Sequence, residues 1–187
     1  MSNRNRPLRW SDVPPCYRFL PTPEVLLMLL KHRVTGHPNE NPFLIEKDLF
    51  GSNATPWVIL NESDRANRWV DVQDVDCEVI GRQICVITRI PRVGIGEDKV
   101  MAAGCGAWCE TSGPRFVQSE SRVIIGVTRT LEFRSESVAV GDRWVMEEYA
   151  LAGDFLSPND STEYVIVRIT KSAEGGGAAA AAPNSSS

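Results

Sequence analysis

Residues 122–133 read RVIIGVTRTLEF. Counted two at a time, Val123, Ile125, Val127, Arg129, Leu131 and Phe133 fall on one face, which is the period of a strand and not of a helix. Residues 163–170, EYVIVRIT, repeat the pattern with Val165, Val167 and Ile169 on one side. Residues 77–90 (CEVIGRQICVITRI) and 143–149 (RWVMEEY) share the enrichment in Val, Ile, Thr and aromatics. Glycine-containing breaks separate the runs at Gly94–Gly96, Gly104–Gly106, Gly113–Pro114, Gly141 and Gly153. They leave little room for crossover helices, so the strands are expected to form an antiparallel sheet.

Upstream the period changes. Thr22 suits a helix N-cap, Pro23 its first position and Glu24 its positive end. Residues 24–33, EVLLMLLKHR, are apolar on nearly every side, so this helix is expected to bury more than one face, against its own core and a second subunit. Gly36 and Pro38 end it. A second short helix is expected over Pro42–Phe50, with Asn41 as cap and Gly51 as stop. Helices followed by a strand meander make the class α+β.

Residues 1–12 are polar and Arg/Asn-rich and read as a flexible N-terminal arm. Residues 173–187, AEGGGAAAAAPNSSS, are low complexity and read as a disordered tail. One folded domain is expected at 13–172. The longest apolar run, Val25–Leu30, is too short to span a membrane, and no apolar stretch follows the arginines of Met1–Trp10 as a secretory signal requires. Five cysteines without a CxxC pair read as reduced thiols, and their spacing with His32 and His37 fits no common zinc pattern.

No catalytic constellation stands out. Glu147 and Glu148 are adjacent in a strand and so face opposite sides. Gly94-Ile-Gly96 lacks the third glycine of a dinucleotide fingerprint. No enzyme activity, cofactor, metal, membrane partner or small-molecule substrate is expected. A net charge of −4 weighs against a nucleic-acid binder unless a basic patch stands out locally.

Four stretches, in order, resemble the plant NAC domain of transcription factors. VPPCYRFLPTPEVLLMLL (13–30) is similar to LPPGFRFxPTDEELxxxYL, and IEKDLFGSNATPWVIL (45–60) to IxExDLY followed by PWxL. GAWCETSGPRFV (106–117) is similar to GYWKATGKDKxI. IGVTRTLEF, RWVMEEYAL and EYVIVRITKS (125–133, 143–151, 163–172) are similar to VGxKKTLVFY, DWVMHEYRL and WVLCRIYKK. The resemblance implies a twisted antiparallel sheet flanked by a few short helices, a nuclear protein, and a homodimer or a heterodimer with related chains. It also implies duplex DNA as partner, read in the major groove by the strand at 106–117. A β-ribbon fits that groove, base edges supply sequence and Lys/Arg–phosphate contacts supply most of the affinity. On this basis Lys99, Trp108, Thr111, Ser112, Arg115, Arg122 and Arg129 are the DNA-binding candidates. Val13, Pro14, Arg18, Glu24 and Val25 are the dimer candidates.

The chain also departs from the pattern. Cys109 and Glu110 stand where the family has Lys and Ala, Asp98 and Met101 where it has two arginines, and Thr128 where it has the first Lys of a pair. Val25 replaces the Glu that pairs across the family's dimer with the Arg found here as Arg18. Residues 95–120 hold Glu97, Asp98, Glu110 and Glu120 against Lys99 and Arg115, a balance that repels phosphate. Two functions follow: a transcriptional regulator with weakened DNA contact, or a DNA-binding-deficient module that pairs with related factors. Trp57, Trp69, Trp108 and Trp144 stand singly in the chain and read as core, although the resemblance also sets Trp108 beside DNA.

Overall fold

The computed structural model describes residues 19–73, 75–91, 99–136, 142–152 and 162–173. Val13, Pro14, Arg18, Gly94–Gly96, Asp98, the arm and the tail from residue 174 lie outside the described residues. In chain order the elements are α1 (Pro23–Val34), β1 (Leu44–Glu46), α2 (Pro56–Ile59), β2 (Val70–Gln73), β3 (Val79–Pro91), β4 (Val100–Ala103), β5 (Gly106–Gln118), β6 (Ile124–Arg134), β7 (Asp142–Leu151) and β8 (Thr162–Ala173).

The strands form one sheet in the order β1-β3-β8-β7-β6-β5-β4. β2 lies on the same outer edge of β3 as β1, pairing along Val79–Gln83 while β1 takes Cys85–Ile87. The meander β5–β6–β7–β8 is antiparallel throughout, as the alternation of residues 122–133 and 163–170 predicts. The sheet is nonetheless mixed, because β1 runs parallel to β3. This corrects the wholly antiparallel expectation. The connection from β1 to β3 carries α2 and β2, and it is long enough to return the chain for a parallel pairing.

The helix expected over Pro42–Phe50 is instead a turn followed by β1. Asn41 does bond forward, its Oδ1 accepting from the Phe43 amide at 2.9 Å, but its carbonyl also accepts from Leu44 N and closes a turn. An Asn that bonds two residues on can open either a helix or a turn. Here Leu44 is drawn to the open edge of β3, and burial of Phe43 and Leu44 outweighs the local preference.

Both faces of the sheet are packed. On the inner face Trp108, Leu131, Phe133, Trp144, Met146, Val165, Val167 and Ile169 meet Leu49, Leu60 and Trp69. Trp108 stands edge-on to Phe133, and Trp69 to Trp144 with its Nε1 donating to the Leu60 carbonyl. The four tryptophans are therefore held in or against the core, as their isolated spacing predicts. On the outer face Leu26, Leu27 and Leu30 of α1 cover Cys85, Ile87, Val117, Tyr149, Leu151 and Ile166. Each such side chain, fully buried, contributes about 1.5–3 kcal/mol. Gly126 lets α1 sit this close: a Cβ there would lie 2.5 Å from the Leu27 methyls.

α1 buries one side only. Leu26, Leu27 and Leu30 face the sheet, whereas Val25 and Met28 are exposed, Met28 at 57%. The chain entering α1 is tied to the sheet by polar bonds. Arg168 Nη2 donates to the Pro21 carbonyl at 3.0 Å, and Gln83 Nε2 to the Phe19 carbonyl at 3.4 Å.

Candidate nucleic-acid interface

The strand matched to the family's DNA stretch, β5, is the most irregular in the sheet. Its register against β6 shifts between Glu110 and Ser112 and again between Ser112 and Arg115. Thr111 is one extra residue, and Gly113-Pro114, two residues opposite the single Arg129, supplies the other; such bulges bend a strand and re-aim its side chains. β4 pairs with β5 only as far as Cys109, with one further bond from Glu110 N to the Lys99 carbonyl. Among the described residues, the edge of β5 from Thr111 onward has no strand beside it.

Directly opposed residues share a face. Ser112 opposes Thr130, Arg115 opposes Thr128, and Cys109 opposes Glu132, so all six lie on the outer face. Thr111, Ser112 and Arg115 are exposed, and Thr111 Oγ1 donates to the Thr130 carbonyl at 3.2 Å. Arg122 is exposed in the tight turn joining β5 to β6, its backbone at φ 62 and its amide bonded to the Ser119 carbonyl. Four of the seven DNA-binding candidates thus reach the surface together along β5 and its turn.

The other three do not. Trp108 is 1% exposed and belongs to the inner core. Lys99 and Arg129 are buried in ion pairs. Lys99 Nζ lies 2.7 and 2.8 Å from the two carboxylate oxygens of Glu148, both side chains 2% exposed. Arg129 Nη1 donates to Glu110 Oε2 at 3.0 Å, and the same oxygen accepts from the Lys99 amide. Arg129 and Glu148 are themselves cross-strand neighbours. Two cations and two anions form one internal lattice across β4 to β7, with no net charge. This is also why Arg129 shares the face of Leu131 and Phe133, as the alternation requires. Met101, at the position of a family arginine, is likewise buried in the inner core.

Two outer-face cations escaped the sequence reading. Arg134, exposed at the end of β6, and Arg143, near the start of β7, lie on the same side as Thr130 and Glu132. Arg134 continues the even-numbered face of 122–133, opposite the apolar one, whereas Arg143 is placed there only by the pairing of β6 with β7. Of the dimer candidates, Glu24 and Val25 are exposed on α1, and a hydrogen bond from Thr22 holds the Glu24 carboxyl below its ordinary range. Met28, exposed on the same helix, belongs to the apolar surface expected to meet a second subunit, and Leu20 adds to it from just before α1.

A curled, twisted mixed sheet with few short helices is a NAC-type fold, and comparison with known proteins agrees. The chain belongs to the No apical meristem (NAM) protein family, whose model matches residues 14–151. It is 31% identical over 147 residues to NAC domain-containing protein 96 of Arabidopsis thaliana, covering 77% of this chain and 46% of that protein. It is 27% identical over 176 residues to NAC domain-containing protein JA2L of Solanum lycopersicum, covering 91% and 45%. With NAC domain-containing protein 43 of Arabidopsis thaliana it shares 28% over 166 residues, covering 85% and 41%. The chain thus spans less than half the length of these curated relatives.

Proposed function

We propose that this chain is the DNA-binding domain of a NAC-type transcriptional regulator, acting in the nucleus, with weakened DNA contact. The observation that carries the reading is the bulged, exposed stretch Thr111–Arg115 at the edge of β5, polar and uncharged except for Arg115. Its hydroxyls can meet base edges, and Arg115 and Arg122 can meet phosphates. Contact is weak because Lys99 and Arg129, which would add two cations, spend their charge on Glu148 and Glu110. The test is a salt series of binding to a short duplex with a CGT core. The log–log slope is expected below about 4, since each phosphate contact adds ~0.9. Cys109→Lys, on the outer face, is expected to steepen the slope by about 0.9. A steep wild-type slope overturns the weakened contact, and no binding even at low salt overturns DNA binding.

A second reading, a module that pairs with related factors, is favoured by one observation: Leu20, just before α1, and Val25 and Met28 in its first half are exposed apolar residues. Val25 offers apolar contact where the family has an ionic partner. Sedimentation at micromolar concentration is expected to show a dimer, and a strict monomer overturns the pairing.

A further inference from the structure

Outer-face charge on the β5–β6 hairpin is concentrated at its two ends. Arg115 opposes Thr128, while Arg134 lies six residues farther along β6 on the same face, about 20 Å at ~3.3 Å per residue. Between them the outer face carries Cys109, Ser112, Thr130 and Glu132. At the Arg134 end, Glu132 is already committed, since Arg143 Nε donates to its Oε1 at 2.8 Å, although the Arg143 side chain is 61% exposed. Arg134 has no ion pair among the described residues. Two residues beyond the Glu132–Val145 pair, the same β6–β7 register sets Arg134 opposite Arg143, and like charges directly opposed repel each other unless an anion lies between them. Their guanidinium groups present forked donors suited to phosphate oxygens.

We propose that Arg115 and the Arg134–Arg143 pair straddle the DNA major groove, each end holding one of the two bordering phosphate rows while Thr111, Ser112 and Thr130 lie over the groove. A groove ≈12 Å wide fits inside a span of about 20 Å with flexible arginine stems reaching inward. The assignment rests on the DNA-binding reading above and adds Arg134 and Arg143 as phosphate contacts.

The test uses the full chain and the same CGT-core duplex, with thermal unfolding run in parallel. Arg134→Ala is expected to lower the salt slope by about 0.9, and Arg134→Ala with Arg143→Ala by about 1.8, with the unfolding temperature unchanged for Arg134→Ala. Arg134→Lys, which keeps the charge, is expected to retain the slope, as a merely structural role would not require. Glu132→Gln, which releases Arg143, is expected to tighten binding. If Arg115→Ala lowers the slope and Arg134→Ala does not, the straddling arrangement is overturned while DNA binding stands. If the wild type does not bind at all, the DNA-binding reading itself falls.

Discussion

The two faces of the β5–β6 hairpin use the same kinds of residue for opposite ends. On the inner face Lys99, Glu110, Arg129 and Glu148 neutralise one another away from water. On the outer face Ser112, Arg115 and Arg134 stand exposed. Arg129 and Thr128 are neighbours in sequence yet belong to different surfaces, because adjacent strand residues point to opposite sides. A charge balance over residues 95–120 therefore misleads. It counts Lys99 and Glu110, which no ligand on the outer face meets, at the same weight as Arg115.

The largest expected effect breaks this comparison most directly. Lys99→Met leaves Glu148 buried without its cation and should destabilise the fold by about 3–5 kcal/mol. Arg115→Ala, on the exposed face, should stay within about 0.5 kcal/mol. Urea unfolding of the two variants measures the contrast, and equal costs would mean that the faces do not differ. Lys99→Met combined with Glu148→Leu should recover much of the loss, because an apolar pair needs no counter-charge. Glu110→Ala should also be costly, since it strands Arg129, so it is a poor way to raise outer-face charge.

A smaller effect tests how closely α1 sits on the outer face. Gly126→Ala pushes a methyl into Leu27 and the Ala150 carbonyl, 2.5 and 2.7 Å away, and should cost about 1–3 kcal/mol in thermal unfolding. No loss would show that the helix can lift without penalty. Next comes Met28→Lys. If α1 meets a second copy, losing a buried side chain worth ~1.5 kcal/mol should weaken association about tenfold in sedimentation, with folding stability unchanged.

The smallest effect concerns Glu62, which accepts from Lys171 and Arg82 on the surface. The Lys171 bond, then the Arg82 bond, holds its carboxyl below the ordinary 4.5. A lowered folded value means stabilisation that is present above pH 4.5 and lost as pH falls through the folded value. Glu62→Gln should therefore flatten the acid limb of stability slightly, within the ~0–1 kcal/mol of exposed pairs. Unfolding temperatures measured across that range check the sign.

The strand runs were legible because alternation is local: Leu131, Phe133, Val165, Val167 and Ile169 reach the core side that counting by twos assigns them. α1 was legible from Thr22, Pro23 and Gly36 for the same reason. The stretch Pro42–Phe50 was misread because Asn-Pro opens turns as readily as helices, and only the open edge of β3 distinguishes them. The candidate site was half legible. Thr111, Ser112, Arg115 and Arg122 reach the surface, whereas Lys99 and Arg129 are claimed by acids elsewhere in the chain.

The sequence by itself determined the strand periods, the first helix and the order of the family's motifs, since each depends on residues within a few positions of one another. The tertiary structure alone decided which charges are available to a partner. Lys99 and Glu148 are 49 residues apart and meet only because β4, β5, β6 and β7 lie side by side. Burial makes such a pair compulsory once either charge is inside, because an unpaired charge away from water costs several kcal/mol. Whether an arginine of this chain reads as a free cation or as half of an internal pair is a question of sheet order, which no local pattern contains.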